Sequence, residues 1–192
     1  MNANAYLDTD WLGFCRTKSI DSYKDRLITT VANSLGVTGN PRGYQMTLSW
    51  IPCQNGNVPN AAVDAADGGG IYVCRAAHSG DDIPGKVVPV FGKAYVPYGG
   101  EEHEKYSYEV LCVTGSHGGG FYTWKADSGG GVPKRAVIGG FSSSGEPLYV
   151  ARGYVDGECV VGKVHDGHQC AYFPHGGREI ACDDYEVLVW EK

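Results

Sequence analysis

The sequence predicts an all-β protein in which two tandem, pseudo-symmetric antiparallel β repeats form one compact domain behind a short N-terminal helical extension. Three observations carry this expectation. Glycine is abundant and methionine scarce, with 29 glycines and 13 tyrosines against 2 methionines in 192 residues, a balance that suits turns and pleated surfaces better than helices. Short runs rich in Val, Ile and Tyr alternate with Gly, Pro and Asp clusters, the pattern of strands and turns. The chain also matches itself when shifted by 77 residues, the signature of an internal repeat.

Residues 1–45 stand outside the match. There Ser19-Ile20-Asp21-Ser22 opens a stretch in which Ile20, Tyr23, Leu27, Val31 and Leu35 recur near helical spacing up to Gly36, which predicts one helix. Met1 to Asp10 has neither the basic start nor the apolar run of a secretory signal, and no stretch of about 18 apolar residues occurs in the chain. A cytoplasmic protein without membrane insertion is expected, any extracellular role requiring release by a non-classical route. A formal charge of -6 supplies no positive field for nucleic acid or anionic lipid. The cysteines Cys15, Cys53, Cys74, Cys112, Cys159, Cys170 and Cys182 are odd in number and irregularly spaced, so reduced thiols are expected rather than a disulfide framework.

The first repeat occupies residues 46–120 and the second 121–192. Tyr72, Val73 and Arg75 fall on Tyr149, Val150 and Arg152; Gly85, Lys86 and Val87 on Gly162, Lys163 and Val164; Gly99-Gly100 on Gly176-Gly177; and Tyr108 to Leu111 on Tyr185 to Leu188. Upstream, Trp50, Val58-Pro59 and Ala62-Val63 fall on Trp124, Val132-Pro133 and Ala136-Val137 at a shift of 74. The loop between, Asp64 to Gly70 in the first copy and Ile138 to Pro147 in the second, therefore differs in length, as surface loops do. In the first copy, strands are predicted over 71–77, 86–91, 93–97 and 106–113.

These co-ordered motifs resemble the DM-nine repeat family: Trp50, Val58-Pro59, Ile71-Tyr72-Val73, Pro84-Gly85-Lys86-Val87, Pro97 to Glu102 and Tyr108 to Leu111, echoed by Pro147-Leu148-Tyr149, Val161 to Val164, Pro174 to Glu179 and Tyr185 to Leu188. The resemblance covers about three quarters of the chain. It implies a non-enzymatic, calcium-independent lectin for mannose or mannose-containing glycans, with no cofactor, acting in pathogen recognition or agglutination and able to form a homodimer. The same repeat heads natterin-like pore-forming toxins; with the sequence ending at Lys192, no lytic activity is expected.

In the family's mannose binders the site is associated with the lysine of the PGK segment, expected in a turn, and an acidic residue of the variable loop. The lysines carry over as Lys86 and Lys163. The acid carries over as Asp67, or as Asp64 if the shorter loop is threaded differently, whereas the second copy has Phe141-Ser142 there, so Ser142 marks a weaker second site. A carboxylate accepts two neighbouring sugar hydroxyls while an ammonium donates to a third oxygen. Asp81 and Glu158, five residues before each lysine, are further carboxylates able to orient the ammonium or touch the sugar. Tyr95 and Tyr172 can face a sugar or simply be buried. Without the resemblance, all of these read as solvated surface charges.

Other chemistries fit less well. GxxxxGK occurs at Gly80 to Lys86 and at Gly157 to Lys163, but Val follows each lysine where a phosphate loop needs Ser or Thr. His165, His168, Cys170 and His175 crowd together without a standard zinc spacing, and the first copy has Val88, Phe91, Lys93 and Tyr98 in their places. Cys74 and Cys112 lie in apolar runs, the wrong setting for a nucleophilic thiolate. The alternative to a lectin is a protein–protein assembly module.

Overall fold

The computed structural model describes residues 47–66, 68–115 and 121–191. The helix expected near residues 19–36 and the acid expected at Asp67 lie outside them. The first repeat supplies β1 (Leu48–Gln54), β2 (Tyr72–His78), β3 (Asp81–Val88), β4 (Lys93–Tyr98), β5 (Glu101–Lys105) and β6 (Ser107–Val113). The second supplies β7 (Phe121–Ser128), β8 (Ile138–Phe141), β9 (Pro147–Val155), β10 (Glu158–His165), β11 (Ala171–His175), β12 (Arg178–Cys182) and β13 (Asp184–Glu191).

These strands form one curled antiparallel sheet in the order β1-β6-β2-β3-β4-β5-β12-β11-β10-β9-β13-β7, with β8 added beside β9. The order is palindromic. Its midpoint is the pairing of β5 with β12, where Glu101 and Arg178 are register partners. Because these two residues occupy the same place in their repeats, a pseudo-twofold axis passes between them. On either side of it Gly99-Gly100 (φ 62 and 88) and Gly176-Gly177 (φ 59 and 80) close two-residue hairpins that need two consecutive left-handed residues.

Strand alternation divides the apolar residues among three cores. Trp50, Ile71, Val73 and Leu111 of the first repeat meet Val137, Val150, Val161 and Leu188 of the second in a central cluster. Cys74, Ala76, Ile83 and Val110 build a flanking cluster in the first repeat, and Ala151, Val160, Phe173 and Val187 build its counterpart. Burying a Val, Leu or Phe side chain is worth about 1.5–3 kcal/mol, so the central cluster ties the repeats together strongly. A second tie is β8, which lies on β3 so closely that a Cβ at Gly140 would stand 1.9 Å from the Asp82 carbonyl oxygen.

The strands depart from expectation at several points. The run predicted over 86–91 begins at Asp81 and ends at Val88, because Pro89-Val90-Phe91 turns into a short 3-10 helix closed by Gly92. The PGK segment is therefore interior strand and not a turn. The charged run Glu101–Lys105 is a strand whose hydrogen-bonding partners, β4 and β12, flank it on both sides. Part of the second variable loop, Ile138–Phe141, is also a strand.

Candidate functional site

Lys86 stands in β3 with Val73 and Tyr95 as its register partners. Paired residues share a face, so its side chain rises from the side that carries the shared core. It is only 5% exposed. Its ammonium lies 3.6 Å from Glu102 and 3.7 Å from Glu158, a residue of the other repeat, and 5.5 Å from the Tyr95 ring centre. These ion pairs are longer than hydrogen bonds, so the three N–H donors are held in place without being used up.

Lys163, the equivalent residue in β10, pairs with Val150 and Tyr172. Its ammonium donates to the Pro97 carbonyl at 2.7 Å and lies 3.2 Å from Glu179. The rings of Tyr98 and Tyr172 are 5.5 and 5.9 Å away. Each lysine centre is thus completed by the opposite repeat. Two glutamates enforce this: Glu102 accepts the backbone N–H of Gly177 at 2.8 Å and Glu179 accepts that of Gly100 at 2.7 Å. Each carboxylate thereby spans from its own lysine to the other repeat's hairpin.

The remaining candidate residues are distributed as follows. Glu158 reaches Lys86 across the repeat boundary and lies 3.1 Å from His175 Nδ1, while Asp156 lies 3.5 Å from His175 Nε2. Asp81 accepts the Ser143 amide N–H at 2.7 Å, which anchors the second variable loop. Asp64 accepts the amides of Ala66 and Gly68, each at 3.0 Å, and so braces its own loop. Ser142 accepts the Glu146 amide at 3.1 Å and exchanges a hydrogen bond with Ser144. The picture of Lys86 as a solvated surface charge is corrected: the inter-repeat core covers its stem.

Glu102, Glu179 and the Pro97 carbonyl were missed as site groups, although both glutamates belong to the repeated GG-x-E segment. Arg75 and Arg152 are a further equivalent pair that joins the repeats. Arg75 pairs with Glu109 at 2.6 Å, lies 4.5 Å from the Trp50 ring centre and donates to the Gly139 carbonyl. Arg152 pairs with Glu186 at 2.7 Å, lies 4.7 Å from the Trp124 ring centre and donates to the Ala65 carbonyl. Each arginine therefore holds the variable loop of the other repeat.

Burial pushes the Cys112 thiol up to about 11 and the Cys74 thiol further still, so neither is a thiolate at neutral pH. His165 faces Glu146 and His168 faces Tyr172. Among the described residues, no three His, Cys, Asp or Glu side chains gather as a metal-holding group.

The fold is that of a tandem β-repeat protein with two equivalent ammonium–carboxylate centres at the repeat boundary. The chain belongs to the DM9 repeat family, a carbohydrate-binding family, whose repeat matches residues 64–182. Its fold is similar to that in the crystal structure of the nematode sperm cell motility protein MFP2B, with a TM-score of 0.58 at 19% identity. The likeness covers 75% of this chain and 44% of that one, and at this identity it shows the fold alone. No curated protein matches the chain.

Proposed function

We propose that the protein is a calcium-independent lectin that binds mannose-type glycans, without catalysis, at the two inter-repeat lysine centres. The reading is carried by Lys86: a buried ammonium steered by two carboxylates yet free to donate. A pyranose with vicinal hydroxyls supplies both the acceptors this ammonium lacks and the donors that Glu102 and Glu158 can take. Tyr95 adds an aromatic face beside them. Asp67 keeps its proposed role as the acid of the variable loop.

Two weak centres in one chain gain from linkage, on the order of a hundredfold or more on a multivalent glycan surface, which suits recognition or agglutination of mannan-bearing cells. A glycan array with free-mannose competition tests this. Binding to mannose-rich glycans that persists in EDTA is expected; no glycan binding at micromolar protein would remove the reading.

A second reading, protein–protein assembly, is favoured by an apolar tip on the first repeat. Val90, Phe91 and Tyr106 are 86%, 62% and 57% exposed, and apolar side chains exposed together in one patch mark a contact surface, as singly scattered ones do not. Replacing all three by Ser and measuring mass in solution separates the readings, since sugar affinity is expected to be untouched.

A further inference from the structure

One side-chain cluster lies beyond the lysine centres and is confined to the first repeat. Lys105 donates to the Ala77 carbonyl at 2.8 Å and to His78 Nδ1 at 2.9 Å. His78 stacks on His103 with ring centres 3.9 Å apart, and the Tyr98 ring is 5.0 Å from His78 and 6.2 Å from His103. Tyr98 is also the ring over which Lys163 sits. Three basic side chains of one repeat are thus joined, through one tyrosine, to the binding lysine of the other.

The fold does not require this arrangement. At the equivalent places in the second repeat stand Val155, Ile180 and Cys182, all of which belong to or pack against the flanking apolar core there. Replacing an apolar triad by two imidazoles and an ammonium sacrifices burial and brings like charges together. Burial, Lys105, His103 and Lys163 all hold the His78 imidazole below its ordinary value, and Asp81 is the opposing charge. The nearby acids are engaged elsewhere: Asp81 holds the Ser143 amide, and Glu179 holds Lys163 and the Gly100 amide. Lys105 is the cluster's cation, and His78, with Asp81 as its cross-strand partner, adds a neutral N–H donor beside it.

Its hydrogen bonds also fix its outward chemistry. An ammonium has no lone pair, so the Lys105 contact makes His78 Nδ1 the acceptor and places the ring proton on Nε2, a free donor. His103 Nε2 is satisfied by the Tyr98 carbonyl at 2.9 Å. All three residues are partly exposed, so a ligand can reach them.

We propose that His78, His103 and Lys105, together with Lys163, form an anion-recognition site through which the second centre, besides mannose, takes and prefers sugars bearing a carboxylate, such as hexuronates. Lys163 and Tyr172 meet the sugar ring, as the lectin reading requires, and the cluster meets the acid. An oxyanion there gains charge-assisted hydrogen bonds from Lys105 and His78. The two centres then differ in preference: at the Lys86 centre Glu158 and, through His175, Asp156 add carboxylates that disfavour the same anion.

The test titrates the full chain, labelled at histidine, with glucuronate, glucose and inorganic sulfate while the His78 and His103 ring signals are followed by NMR. Free mannose is titrated separately. Glucuronate is expected to shift both rings saturably, at least about tenfold more tightly than glucose or sulfate. The triple variant His78→Val, His103→Ile, Lys105→Met copies the apolar character of the second repeat and so is expected to fold. It should lose glucuronate binding at least tenfold and keep mannose binding at the Lys86 centre; Lys105→Met alone should show most of the loss. Equal affinity for sulfate and glucuronate would remove the sugar from the assignment and overturn it. So would undiminished glucuronate binding by the Lys105→Met variant. Mannose binding without glucuronate binding would sink this inference and leave the lectin reading standing, and the reverse result would do the opposite.

Discussion

Glu102 accepts the backbone N–H of Gly177 with one carboxylate oxygen and faces Lys86 with the other. A single side chain so links the buried lysine of one repeat to the hairpin of the other. Glu102→Gln keeps the shape but removes the charge that balances Lys86. Removing one member of a buried pair costs about 3–5 kcal/mol, and Glu158, which is more exposed, offsets only part of it. Urea unfolding should show a loss of about 2–4 kcal/mol, while the double variant Lys86→Met, Glu102→Gln should recover much of it. A Glu102→Gln midpoint equal to the parent's would show that the carboxylate does not hold the repeats together.

Sugar affinity should depend unequally on the two lysines. Lys86 keeps its donors uncommitted, whereas Lys163 already donates to Pro97. Losing a charge-assisted hydrogen bond costs about 1.5–3 kcal/mol, so Lys86→Ala should weaken mannose binding at least about tenfold by calorimetry. Lys163→Ala should have the smaller effect on mannose. Asp67→Ala is expected to match Lys86→Ala. If a folded Lys86→Ala protein binds mannose like the parent, the sugar sits elsewhere.

Packing of β8 on β3 makes Gly140 a sensitive position. Its added Cβ would fall 1.9 Å from the Asp82 carbonyl oxygen, a clash with backbone rather than with a mobile side chain. Gly140→Ala should cost more than about 3 kcal/mol, at or beyond the upper end of ordinary overpacking. Gly157→Ala, with φ +84 but open space around it, should cost only about 1 kcal/mol. Thermal melts of the two variants side by side decide the order.

Alkaline pH should loosen the fold at two equivalent tyrosines. Burial pushes Tyr108 and Tyr185 up to about 12, and their hydroxyls donate to the carbonyls of Asn57 and Gly131. An unfolded tyrosine ionises near 10, so between pH 10 and 12 the folded state holds the proton that the unfolded state has lost. Stability is then full below pH 10 and declines as pH rises towards 12. The double variant Tyr108→Phe, Tyr185→Phe should start slightly less stable at pH 8 and lose less on going to pH 11. An identical decline in parent and variant would place the alkaline transition at other groups.

The repeat architecture was legible because alternation and hairpin glycines act locally: Val73 and Val150, or Gly99-Gly100 and Gly176-Gly177, announce their roles within a few residues. Lys86 and Lys163 were legible as equivalent positions. Their partners were harder to see, because Glu158 reaches Lys86, and Pro97 reaches Lys163, across a fold axis that no local pattern encodes. Strand β5 was hidden for a related reason. EEHEK has no apolar alternation, and its strand character comes from being flanked by β4 and β12. Asp81 was weighed by its charge and Asp64 by the family resemblance; neither route reveals that nearby amides at Ser143, Ala66 and Gly68 also hold them.

The central core bears on how such a chain could have arisen. Trp50, Val73 and Leu111 cover Val137, Val150 and Leu188, so either copy alone would leave a broad greasy wall in water. Two identical copies related by a rotation would bury that wall in the same way, and the pairing at Glu101 and Arg178 would then become a strand-to-strand contact of a residue with its own twin. The present chain has the geometry of a symmetric dimer fused into one polypeptide. Fusion frees the halves to diverge, and His78, His103 and Lys105 against Val155, Ile180 and Cys182 are the kind of difference that an obligate homodimer, bound to change both faces at once, could not acquire.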